Sequence, residues 1–134
     1  MKFGLTELPP DDKEAAAVIA RVMASALVGY GYRGEARWSV LGEGIWPGVI
    51  SDGVRQLSFF PMEEGRLRVL GVLEPRHFGL DLTPAPGTGF AYRRIAVALS
   101  KTPTTIAREI VRRLLDQLDG DIPAVKAEIE RNRI

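Results

Sequence analysis

Residues 54–73 read VRQLSFFPMEEGRLRVLGVL. The halves VRQLSFFP and RLRVLGVL flank EEG, and each carries apolar residues with a period near two, the signature of a half-buried strand. EEG supplies turn residues suited to a hairpin. A connection this short forces the two strands to run antiparallel, because a parallel crossover needs a dozen residues or more. The same alternation extends upstream. In EARWSVLG (35–42), Ala36, Trp38 and Val40 alternate with Arg37, Ser39 and Leu41. A short strand at Val49–Ile50 and the turn SDG (51–53) complete a meander of three or four strands.

Helices flank this meander. Asp11 caps the first, with Glu14 three places on in a capping-box variant. Ala15, Val18, Ile19, Val22, Met23, Ala26 and Leu27 follow at i, i+3, i+4 spacing, and Gly29 is the expected stop. Beyond the meander, YRRIAVALS (92–100) reads as a further strand. Thr102 then caps a helix with Pro103 at its first position, and Ile106, Ile110, Val111, Leu114 and Leu118 form its apolar face. Asp119–Gly120–Asp121 reads as a break. A last helix over 122–132 would bury Val125 and Ile129 at most, which predicts a loosely docked tail. The expected fold is α+β: one domain over 1–134 as a two-layer sandwich, with an N-terminal helix, a mostly antiparallel sheet of about five strands and two C-terminal helices.

Composition narrows the function classes. The chain has 134 residues, of which 46% are hydrophobic, enough for a core without staples. A formal net charge of +1 gives no global pull toward nucleic acid or membrane. With no cysteine, disulfides and zinc–thiolate sites are excluded, which suits a reducing cytoplasm. The opening MKFGLTELPPDDKE lacks the apolar core of a secretory signal, and no uncharged apolar run approaches a bilayer span. The expectation is a cytoplasmic protein away from membranes.

Catalytic signals are sparse. His77 is the only histidine, near Arg76 and Asp81 in the proline- and glycine-rich loop 74–90. An imidazole beside a carboxylate suits general acid–base chemistry, but no nucleophile accompanies it at a recognisable spacing. Loops of that length are uncommon in compact domains and are often functional. The pairs Asp11–Asp12, Glu63–Glu64 and Asp119–Asp121 have plainer roles at helix starts and turns, and none has calcium-loop spacing. PGTGF (86–90) lacks the third glycine of a dinucleotide fingerprint and the Lys-Ser/Thr ending of a P-loop. The expectation is no catalytic residue, no metal and no cofactor.

The strongest signal is charge around one strand-to-helix corner. RRIAVALSKTPTTIAREIVRR (93–113) holds Arg93, Arg94, Lys101, Arg108, Arg112 and Arg113 against one acid, Glu109. Lys101 precedes a helix N-terminus bearing Thr102, Thr104 and Thr105, a combination suited to a phosphate or carboxylate. The plainer account is a capped helix with Lys101 in water. Some of the charge can balance locally, through Glu109 with Arg113 and Arg112 with Asp116. Arg93 and Arg94, adjacent in a strand, must point to opposite faces. The candidate basic patch is Arg93 or Arg94 with Lys101, Arg108 and Arg112. Phe90 and Tyr92, with a second cluster at Tyr30, Tyr32 and Arg33, offer stacking surfaces near the charge.

RIAVALSKTPTTIAREIVRRLL, within residues 92–115, resembles a class of small α+β proteins from bacteriophages and mobile elements. In these a helix, a meander with Trp and Gly turns, and a strand-plus-helix ending recur. The resemblance transfers no residue role. It implies an accessory part in a phage or plasmid, such as binding nucleic acid or countering a host defence complex. The reading reached is a non-enzymatic binding module that meets an anionic partner, nucleic acid or an acidic protein surface, at the basic corner. The alternatives are a protein-binding inhibitor or adaptor of a host complex acting through loop 74–90, and a small enzyme centred on His77.

Overall fold

Five strands form one antiparallel sheet, and its order simply follows the chain. These are β3 (Ser39–Val40), β4 (Val49–Ser51), β5 (Arg55–Met62), β6 (Arg66–Leu73) and β7 (Tyr92–Ala98). The computed structural model describes residues 2–4, 6–30, 37–41, 46–74 and 92–131. Ahead of the sheet lie a two-stranded hairpin, β1 (Lys2–Phe3) with β2 (Thr6–Glu7), and helix α1 (Asp12–Tyr30). The hairpin is too short for any periodicity to announce it.

The opening stretch folds as the expected hairpin. Met62 pairs with Arg66 and Arg55 with Leu73, leaving Glu63–Gly65 as a three-residue turn. Two turn residues take the left-handed conformation, Glu64 at φ 63° and Gly65 at φ 69°. Glycine adopts it freely, whereas glutamate does so at a cost. Leu57, Phe59, Leu67, Val69, Leu73 and Val97 point to one face and are buried. The helices cover that face.

Helix α1 is capped as expected, with the Glu14 amide donating to Asp11 Oδ1 at 3.0 Å. It runs one residue past Gly29. Its most buried line includes Ala16, Ala20 and Ala24 beside Ile19, Met23 and Leu27. Small side chains let the helix lie close to the sheet. A Cβ on Gly48, just before β4, would stand 2.7 Å from the Ala16 Cβ.

The C-terminal segment corrects one expectation. Asp119–Gly120–Asp121 does not break the helix. Instead α2 (Pro103–Ile110), a π-helical turn (Val111–Leu115) and α3 (Asp116–Arg131) join without interruption. Read locally, aspartates and glycine favour non-helical backbone. Here both carboxylates are engaged by strand arginines, Asp119 by Arg55 and Asp121 by Arg93, so the sheet holds the helix through its weakest stretch. Pro123 also lies within α3, and Val125, 1% exposed, extends the core along it. The side chain of Ile129 lies outside the described residues.

The π-helical turn has a reason in the sequence. Ile106, Ile110, Leu114, Leu118 and Ile122 recur every four residues. A straight α-helix advances about 100° per residue, so this line would drift by roughly 40° at each step. The wider i→i+5 turn takes back part of that drift. The first four of these residues are fully buried and Ile122 packs against the core. Gly71 of β6 lies beneath this line, where an added Cβ would meet Leu118 Cδ1 at 2.8 Å and Leu114 at 3.1 Å.

Candidate functional site

The structure separates the basic residues that the sequence places together. Arg93 faces the helical layer. Its Nε donates to Asp121 Oδ2 at 2.7 Å and its Nη2 to Oδ1 at 2.9 Å. Those hydrogen bonds, with the aspartate's charge in support, hold the guanidinium above its ordinary pKa. Lys101 Nζ donates to Glu109 Oε1 at 2.8 Å. Arg113 stands 3.8 Å from the same carboxylate and donates to the Ala96 carbonyl at 3.3 Å. The Glu109–Arg113 pairing foreseen in the sequence therefore forms. The Arg112–Asp116 pairing does not form: neither side chain makes an ion pair with the described residues.

At the helix start, the Thr105 amide donates to Thr102 Oγ1 at 3.2 Å, and the two hydroxyls lie 2.9 Å apart. Thr102 is the cap expected of it, and Thr104 is exposed. Arg108 and Arg112 are exposed on the helical layer, away from Arg94. The residues proposed as one basic corner thus sit on two layers, and two of the cations already have carboxylate partners. His77, Arg76, Asp81, Tyr32, Arg33, Phe90 and all but the first residue of loop 74–90 lie outside the described residues. Among the described residues, no cluster of three metal-ligating side chains occurs. No helix among them is long and apolar enough to cross a membrane.

What the sequence reading missed is the other face of the sheet. Strand alternation sends Phe60, Arg66, Arg68, Leu70, Tyr92 and Arg94 outward, opposite the helices. Register brings them together. Leu70 pairs with Arg94, Arg68 lies between Phe60 and Ala96, and Val72 pairs with Tyr92. Phe60, Arg68, Leu70, Tyr92 and Arg94 line a shallow cavity of about 310 Å³. Tyr92 is 59% exposed. Trp46 stacks on Phe60 with ring centroids 5.2 Å apart and donates from Nε1 to the Phe59 carbonyl at 2.7 Å, so the edge of the cavity is held in place.

The electrostatics of this face are one-sided. No outward position of β5, β6 or β7 is acidic. Arg68 and Arg94 make no ion pair or hydrogen bond with the described residues. Arg66 is at the end of the face, lining a second cavity of about 590 Å³ together with the acidic residues Asp12, Glu63 and Glu64. The signal was present in the sequence as Arg68 and Arg94, each two residues from an outward Leu70 or Tyr92. Only the β6–β7 register makes them neighbours. No protein-family model, no curated protein and no solved structure matches this chain.

Proposed function

We propose that the chain is a non-enzymatic binding module that meets an anionic macromolecule on the open face of its sheet, through Arg68 and Arg94. The observation that carries this reading is a pair of exposed guanidiniums, unmatched by any carboxylate among the described residues, flanking an apolar and aromatic cavity. An arginine offers a planar fork of donors suited to phosphate or carboxylate, and its plane also stacks on aromatic rings. The corner formed by Arg93 and Lys101 is less suited, because a partner would have to displace Asp121 and Glu109. Arg108 and Arg112 are exposed on the helical layer and can add charge from there. The resemblance of residues 92–115 to phage and mobile-element proteins supports an accessory role in such an element.

The test is polyanion binding followed over a salt series. Each phosphate neutralised on a single strand contributes about −0.7 to the slope of log affinity against log salt, so two arginines predict a slope near −1.4. Arg68→Ala combined with Arg94→Ala should remove most of the binding and flatten the slope. Unchanged binding in that double variant overturns the assignment of the face.

A further inference from the structure

We infer that the occupant of this face is single-stranded nucleic acid, its bases stacked on Tyr92 and Phe60 and its phosphates held by Arg94 and Arg68; this rests on the open-face reading above. Charge alone does not choose among polyanions. The choice comes from how ring and guanidinium are interleaved. Tyr92 and Phe60 lie two strands apart across the sheet, roughly 10 Å, and four residues apart along it, roughly 13 Å. The register places Arg94 and Arg68 within the span between the two rings. A strand laid along that diagonal meets aromatic, cation, cation and aromatic in turn. Base stacking on an aromatic ring is sequence-tolerant, because every base has a π-face.

A duplex is excluded by shape. Its bases are stacked on each other and offer no free face to Tyr92. Its major groove is read by an inserted helix or ribbon, whereas among the described residues β5, β6 and β7 present a sheet surface with no such element rising from its outward positions. A duplex would gain only the two phosphate contacts. An acidic peptide would satisfy the arginines but leave the exposed ring of Tyr92 without a planar partner.

The experiment uses the full chain and four probes: a short labelled single strand of mixed sequence, the duplex of the same sequence, polyglutamate and inorganic polyphosphate. The single strand should bind at least about tenfold more tightly than any other probe and should quench the emission of Trp46. Tyr92→Ala should weaken single-strand binding by about five- to hundredfold, and Tyr92→Phe should retain it. Tyr92 is exposed, so both variants should keep the parental Tm. Equal affinity for single strand and duplex, or no effect of Tyr92→Ala, overturns the single-strand assignment while leaving the open-face reading intact. Preferential binding of polyglutamate overturns it in favour of an acidic protein partner. Failure of all four probes overturns both.

Discussion

Arg55 Nε donates to Asp119 Oδ1 at 2.6 Å, joining the start of β5 to the first turn of α3 across 64 residues of chain. The same guanidinium is paired with Asp52 in the preceding turn, where Asp52 also accepts from the amides of Val54 and Arg55 at 2.9 and 2.7 Å. Arg55 is only 9% exposed, so it depends on these carboxylates. Breaking a buried pair by removing one partner costs about 3–5 kcal/mol. Because Asp52 remains, Asp119→Ala should cost less, about 2 kcal/mol in denaturant unfolding, with helicity lost chiefly downstream of residue 118. Asp119→Asn, which keeps an acceptor, should lose less.

Gly71 is required by proximity. Gly71→Ala should destabilise the fold by about 1–3 kcal/mol, the usual cost of overpacking. The nearest atoms are the flexible ends of Leu118 and Leu114. Combining Gly71→Ala with Leu118→Val should therefore cost less than the sum of the two single changes, as a double-mutant cycle would measure.

Glu64 offers a gain. A left-handed backbone costs an ordinary residue about 1–2 kcal/mol, and asparagine tolerates it better. Glu64→Asn should raise stability by about 0.5 kcal/mol. The Arg66 end of the open face would lose one neighbouring carboxylate, so polyanion affinity should rise slightly rather than fall.

Arg93 and Arg94 form an internal control for function. Arg94→Ala should weaken polyanion binding several-fold with little change in Tm. Arg93→Ala should leave affinity within about twofold, since Arg93 faces the helical layer and is held by Asp121. The reverse outcome would return the binding site to the strand-to-helix corner.

Much of the architecture was legible because it is written locally. The two-residue period of 54–73, the Asp11 cap and the Thr102–Pro103 helix start each depend on residues a few places apart. The site was harder to read, for a physical reason. Counting charge from Arg93 to Arg113 treats neighbours in sequence as neighbours in space. In the fold, the carboxylate that holds Arg93 comes from 28 residues downstream, and the residues beside Arg94 come from β5 and β6. The Asp-Gly-Asp stretch was misleading in the same way. Its aspartates look like helix breakers until Arg55 and Arg93 are seen to hold them.

The π-helical turn at Val111–Leu115 gives the chain slack. Such a turn holds one residue more than an α-helix needs to cover the same length. Removing Arg112, an exposed member of it, would tighten the turn to ordinary α-helix and leave Leu118 over Gly71 and Asp119 beside Arg55. Deleting one residue from the middle of α1 would instead rotate everything beyond it by about 100° and pull Met23 and Leu27 out of the core. Shortened forms of this protein should therefore tolerate the loss of a residue at 111–115 far better than within α1.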